Sequence, residues 1–332
     1  MQRRERIQRF VETLWAWYAV HKRVLPWRDL IDRDPDQRAY KILLSEVMLQ
    51  QTQVVRVIPA YRRFLERFPS LEILAKASNR DVLIVWRGMG YNSRALRLRD
   101  AAQAIASVYH GHFPEALIDL LALPGLGHYT AAAVRNFAWD FPTPCMDTNI
   151  RRILHRTFYG PELNYGTWPT GDADLLELAA DVLECALLQK PSPTSVAIQN
   201  GIRRTAAEWH AALMDFGSLV QTKRGPRWDI CPLTAVHLMK ATPRNMPRVS
   251  SIVGRRSEPG RVVAGRFVPN RIFRGKIVEA LRDVEGGMPR TAIGRSICID
   301  WEPERAAWLE EILQKLVADK LLQKKGERYS LA

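Results

Sequence analysis

The sequence predicts a mainly α-helical protein with two folded domains, and three observations carry that prediction. Apolar residues recur at helical spacing through most of residues 5–219, while period-two alternation is nearly absent before residue 240. Residues 241–276 then change character, with nine Arg or Lys against one acidic residue, Glu258, and Pro243, Pro247 and Pro259 among them. Helical periodicity returns beyond this stretch. A chain of 332 residues is long enough for two cores. The division reads 1–240 for the first domain, 241–270 for a basic linker and 271–332 for the second.

Taken in order, Phe10, Leu14, Trp17 and Tyr18 mark an amphipathic helix over 5–21, which Leu25-Pro26-Trp27-Arg28 ends. The charged run 29–38, with Pro35, is a loop. From Tyr40 the pattern Ile42, Leu43, Val47, Met48 restarts a helix that carries Glu46 among apolar neighbours. Further helices are predicted at 53–67, 71–76, 80–86, 93–109, 115–121, 129–138, 149–158, 172–188 and 204–219. In the tail come a helix at 272–284, a Gly-Gly turn, a short helix at 292–297 and a longer one from Pro303, suited to a first helical position, to Lys320. Leu321–Leu331, split at Gly326, reads as a β-hairpin, so the tail has a winged-helix-like outline. Its third helix carries Glu310, Glu311 and Asp319, which argues against that helix entering a nucleic-acid groove.

A net charge of +14 and a pI near 9.9 favour a polyanionic partner, of which nucleic acid is the commonest. No apolar stretch reaches membrane-spanning length and no basic amphipathic helix with an aromatic face stands out, so no membrane partner is expected. The start MQRRERIQRF is too charged for a signal peptide. The expectation is a cytoplasmic, nucleoid-associated monomer. Cys145, Cys185, Cys231 and Cys298 are scattered without a C-x-x-C pair, so they read as free thiols rather than zinc ligands.

The chain is organised around Leu123-Pro124-Gly125-Leu126-Gly127, which opens into the helix at 129–138 and is followed by a lone carboxylate, Asp147. Glycines let the backbone come close to a partner, and a helix N-terminus offers unpaired N–H groups to a phosphate. Alone, such a turn is commonplace, and Asp147 ahead of a helix also reads as an N-cap.

Together with Leu25-Pro26-Trp27-Arg28, Ser45-Glu46-Val47-Met48-Leu49-Gln50-Gln51-Thr52 and Gly88-Met89-Gly90-Tyr91-Asn92-Ser93-Arg94, these residues resemble the helix–hairpin–helix (HhH-GPD) DNA glycosylases of base excision repair, over about residues 8–240. Those three motifs, and Leu213-Met214-Asp215-Phe216-Gly217, look like the MutY-type adenine glycosylases. The thymine/uracil mismatch glycosylases share the Trp17-Tyr18…Pro26-Trp27-Arg28 opening, the Gly127-His128-Tyr129-Thr130 turn and a segment like Leu163-Asn164-Tyr165.

The resemblance implies roles on double-stranded DNA carrying a mismatched or damaged base. Asp147 would stabilise positive charge developing on the sugar, and Glu46, with a pKa raised by its apolar surroundings, would protonate the departing base. Tyr129 stands where strand-cutting relatives carry a Schiff-base Lys, which implies a glycosylase without lyase chemistry, Tyr129 orienting Asp147 or the sugar. Gln50, Gln51 and Tyr91 would fill the gap left by the flipped nucleotide, while Trp27, Arg28 and Asn149 would contact substrate. Gly125, Gly127 and Thr130, with the Tyr129 amide, would hold a phosphate, over a hairpin able to take a monovalent cation. Lys223 and Arg224 would contact further phosphates.

Two departures refine this. Where most relatives hold a four-iron cluster by four cysteines, this chain has Gln221, Trp228, Cys231 and His237, so no iron–sulfur cluster is expected and Trp228 is read as apolar filling. Where adenine-specific relatives carry Glu or Gln, this chain has Ala211, and the Nudix-like domain that reads oxidised guanine is missing. The sequence therefore favours thymine or uracil opposite guanine, with adenine opposite guanine or oxidised guanine as the alternative. A catalytically silent DNA-structure-binding protein is the second alternative.

Overall fold

The computed structural model describes residues 2–163, 167–189, 201–247, 258–298 and 300–332. Asn164 and Tyr165, of the segment shared with mismatch glycosylases, and residues 248–257 of the predicted linker lie outside the described residues. Contacts group the chain into two units, each discontinuous in sequence: Met1–Ile42 with Leu126–Val253, and Leu43–Gly125 with Gly254–Ala332.

The first unit is helical. Helix α1 (Arg3–His21) packs Phe10, Leu14, Trp15 and Tyr18, none of them exposed, against α10 (Asp172–Leu188) and α11 (Ala206–Leu219). Helices α8 (His128–Trp139) and α9 (Thr148–Phe158) pack on α11, and a short α12 (Pro232–Ala235) follows. The core centres on Trp209, whose ring lies 5.2 Å from Trp15 and 6.2 Å from Phe10, with Phe216 5.1 Å from Trp17. Burying each such aromatic contributes on the order of 1.5–3 kcal/mol. Helix α2 (Pro35–Leu49) gives its first half to this unit and its second half to the other.

The second unit holds α3 (Val54–Arg67), α4 (Leu71–Lys76), α5 (Asn79–Val85), α6 (Ser93–Val108) and α7 (Leu117–Ala122), followed by the tail. Residues 260–269, which composition placed in the linker, instead pair as β1 (Gly260–Val263) and β2 (Arg266–Pro269). The two-residue turn between them, Ala264-Gly265, has φ of 47° and 74°, the doubly left-handed geometry that suits a tight hairpin. Next come α13 (Asn270–Leu281), β3 (Met288–Pro289), α14 (Arg290–Ile297), a 3-10 turn (Pro303–Arg305), α15 (Ala306–Ala318), β4 (Leu322–Lys325) and β5 (Arg328–Leu331). The last three strands form an antiparallel sheet in the order β3-β5-β4.

This tail shares a core with the earlier half of its unit. Leu83 of α5 and Leu96 of α6 belong to the same apolar cluster as Phe273, Ile277, Leu313 and Tyr329. Arg282, almost fully buried, donates to Asn92 Oδ1 at 3.0 Å and to Glu279 at 2.8 Å. No helix among the described residues is long and apolar enough to cross a membrane.

Candidate active site and nucleic-acid interface

The turn Leu123–Gly127 joins α7 to α8. Gly125 has φ 79°, and a Cβ there would come within 2.8 Å of Arg97 Cβ, so both conformation and space require glycine. Gly127 is the N-cap of α8 and supplies no capping side chain; Tyr129 and the buried Thr130 occupy the first turn, which has no acidic residue. That leaves N–H groups of the kind that bind anions.

Asp147 is the N-cap of α9. Its Oδ1 accepts from the Asn149 and Ile150 amides at 2.8 and 2.7 Å, and its Oδ2 from Asn149 Nδ2 at 2.8 Å. Burial nonetheless pushes its pKa above the usual carboxylate range, outweighing these bonds and the nearby Arg152 charge. The capping role and the candidate catalytic role thus fall on one side chain. Asn149 Oδ1 accepts from Arg152 Nη2 at 2.6 Å, and the same nitrogen donates to Gly217 O at 3.1 Å. Burial, then the neighbouring Arg156, brings Arg152 down to about 10. A Cβ on Gly217 would stand 2.7 Å from Asn149 Cβ, so α11 passes α9 at the distance glycine allows.

The support for Asp147 continues into the loop that follows α11. Arg152 Nε donates to Gln221 O, and Arg156 donates to Gln221 Oε1 at 3.2 Å and to both oxygens of Glu162 at 2.7 and 3.1 Å. Gln221 Nε2 in turn donates to Cys231 Sγ at 3.5 Å. An amide thus lies against the single thiol, Trp228 is half-buried at the edge of a cavity of about 190 Å³, and His237 is exposed with φ 56°. This donor set does not fit a four-iron cluster. No group of three or more potential metal ligands occurs among the described residues.

Within the first unit the remaining predicted residues line three cavities. Trp27, Arg28 and Ala211 line one cavity of about 320 Å³ with Tyr18, Lys22 and Glu208, a size that accepts a small ligand. There Glu208 accepts from Tyr18 Oη and Lys22 Nζ, each at 2.7 Å. Lys223 lines a cavity of about 610 Å³ with Thr148, Arg151 and Trp168, at the start of α9; Arg224 lines the smaller one beside Trp228. Gln51 and Tyr91 line a cavity of about 600 Å³ in the second unit. Glu46 is buried in α2 between Ser45 and Val47, both buried as well.

Sequence reasoning passed over the roles of Asp215, Glu208 and Arg94. Glu208, Ala211 and Asp215 recur at helical spacing on α11, and that periodicity was the available signal. Arg94 Nη1 donates to Val47 O at 2.8 Å, to Met48 O at 3.2 Å and to Gln50 O, and its Nη2 to Thr52 Oγ1, Met89 O and Gly90 O at 3.1, 3.1 and 3.3 Å. One guanidinium therefore fixes both the end of α2 before Gln51 and the turn carrying Tyr91.

The HhH-GPD profile, described as the HhH-GPD superfamily base excision DNA repair protein, matches residues 44–164. An adenine DNA glycosylase of Mycolicibacterium smegmatis is 34% identical over 320 residues, covering 96% of this chain and 94% of that protein. An adenine DNA glycosylase of Mycobacterium tuberculosis is 32% identical over 312 residues, covering 93% and 88%. One from Mus musculus is 42% identical over 233 residues, 68% of this chain but 41% of that protein. Among solved structures, a thermostable thymine-DNA glycosylase superposes with TM-score 0.54 at 27% identity, covering 68% of this chain and 93% of that one. A non-covalent endonuclease III–DNA complex superposes with TM-score 0.53 at 19% identity, covering 72% and 96%, and speaks for the fold alone.

Proposed function

The chain belongs to the HhH-GPD superfamily of base excision DNA repair proteins, and on that footing we propose that it releases adenine, mispaired with guanine or oxidised guanine, from duplex DNA. It is a DNA glycosylase, hydrolysing a base–sugar bond. The observation that carries the adenine reading is the alignment with the Mycolicibacterium smegmatis enzyme, which runs over 96% of this chain and so includes its tail. The same alignment covers 94% of that enzyme, so a tail of this kind does not count against adenine. Thymine or uracil opposite guanine, the first expectation from sequence, takes second place; Ala211 and the thymine-DNA glycosylase likeness still favour it.

In this reading the bond between C1′ and the base nitrogen breaks with its electron pair leaving on the base. Glu46 gives that base a proton, Asp147 faces the positive charge left on the sugar, and water adds at C1′, its surplus proton returning to the Glu46 carboxylate. Asp147 enters this step already oriented by three hydrogen bonds. Gly125, Gly127 and Thr130 hold a backbone phosphate, with Lys223 and Arg224 on further phosphates. Tyr129 gives no Schiff base, so the strand is left intact, and the enzyme works as a monomer without an iron–sulfur cluster.

Single-turnover assays on duplexes carrying adenine, thymine or uracil opposite guanine or oxidised guanine test this. Free adenine is expected, with no borohydride-trapped adduct. Release of thymine or uracil with adenine retained would overturn it, and tight binding without any free base would favour the silent reader.

A further inference from the structure

Two cavities of the first unit meet at Lys223 and Glu162, which line both. The larger, of about 610 Å³, also holds Trp168, and the smaller, of about 190 Å³, holds Trp228. Both tryptophans are half-buried. Trp168 lies against His155 with ring centroids 4.8 Å apart, and still lines the cavity. Each cavity therefore brings one indole beside the same lysine.

The charge around these rings is mainly positive. Arg151 and Arg152 line the larger cavity and Arg224 the smaller. Of the two carboxylates on the walls, Glu162 is held at both oxygens by the buried Arg156. The other, Asp172, is exposed and pairs with Arg151 at 2.5 Å, and such an exposed pair holds little free energy in water. Lys223 and Arg224 are exposed and have no ion-pair partner among the described residues. An aromatic ring, a cation and a second ring match what one nucleic-acid strand offers in sequence: base, phosphate, base. A paired duplex keeps its base faces stacked inside the helix and leaves such rings nothing to cover.

We propose that the two cavities form one groove for single-stranded DNA, with unpaired bases on Trp168 and Trp228 and the phosphates between them on Lys223 and Arg224. This goes beyond phosphate contact by Lys223 and Arg224, because it gives this face a preference for unpaired over paired strand. The groove holds the enzyme where a duplex runs into an unpaired stretch.

The test uses the full chain, an oligothymidylate of about ten nucleotides, within the span such grooves cover, and a blunt, fully paired duplex for comparison. Anisotropy of labelled strands reads affinity, and the drop in tryptophan emission with unlabelled strands reads stacking. Trp168→Leu and Trp228→Leu are each expected to weaken single-strand binding about tenfold and to remove part of the emission drop. Trp168→Phe and Trp228→Phe keep a ring and should recover most of the affinity. Lys223→Gln with Arg224→Gln should flatten the log–log salt slope on the single strand by about 1.4. Neither probe carries a mismatch, so the outcome is independent of which base is excised. Failure of the wild-type chain to bind the single strand would overturn the proposal. So would unchanged single-strand affinity in both Leu variants, or an equal loss on single strand and duplex, and the two rings would then be packing alone.

Discussion

Arg28 and Asp215 meet as a two-pronged fork, Nη1 to Oδ2 and Nη2 to Oδ1, each at 2.8 Å. Asp215 is wholly buried and also accepts from Arg23 Nε at 2.7 Å and from the Arg23 amide at 3.0 Å. One carboxylate therefore sets the position of Arg28 on the wall of the cavity it shares with Trp27. Removing it as Asp215→Ala leaves Arg28 buried without its hydrogen-bonded carboxylate, which is expected to cost about 3–5 kcal/mol. Urea unfolding checks this, and a loss under about 1 kcal/mol would show that water replaces the carboxylate.

At Asp147 two substitutions should part company. Asn keeps an oxygen for the Asn149 and Ile150 amides, whereas Ala loses the cap at about 0.5–2 kcal/mol. Because burial raises the carboxyl pKa of the folded protein, the stability linked to its protonation is lost as pH rises through that raised value. Asp147→Asn should therefore melt above the wild type at pH 7.5, the gap closing in acid, while base release falls by about 10²–10³-fold or more. Equal melting temperatures at pH 7.5 would remove the claim that the carboxylate is held at a cost.

His210, one residue before Ala211, gives the opposite pH signature. Burial drives its pKa from 6.5 to about 4, with Nδ1 2.8 Å from Ala206 O. A depressed pKa contributes stability that is complete above the unfolded value and is lost as pH falls toward the folded one. Between pH 6.5 and about 4 the wild type should lose on the order of 3 kcal/mol from this group. His210→Gln should show a correspondingly shallower loss in denaturant titrations at pH 7 and pH 5.

Arg94→Lys keeps a charge but cannot reach six acceptors. Leaving buried carbonyls of Val47, Met48 and Met89 without donors is expected to cost about 2–4 kcal/mol. If the Gln51 and Tyr91 turns serve DNA, affinity for an abasic duplex should fall at temperatures where the variant is still folded. Unchanged affinity there would confine Arg94 to stability.

The helices were legible because their apolar spacing is strong: those expected at 5–21, 149–158 and 204–219 are α1, α9 and α11, within two residues at each end. Hairpin β1–β2 was not. Its strands span four residues each, Val262 and Phe267 are exposed, and its turn is Ala-Gly rather than Asn-Gly, so arginine content dominated the reading. The grouping of 43–125 with 254–332 rests on contacts such as Arg282 to Asn92, which no local pattern encodes. At the site, the Asp147 cap was readable from its place before a helix. The Gln221–Cys231–Arg156 network was not, because it depends on side chains meeting across the fold.

At Gly217 the seam between α9 and α11 closes on a hydrogen atom. A methyl group there would land 2.7 Å from Asn149 Cβ, and Asn149 is the side chain that steadies Asp147. Gly217→Ala would carry no charge, no polarity and hardly any bulk into the protein. Even so, it would act as a wedge, prising the second helix from the first and tilting the carboxylate that depends on their spacing.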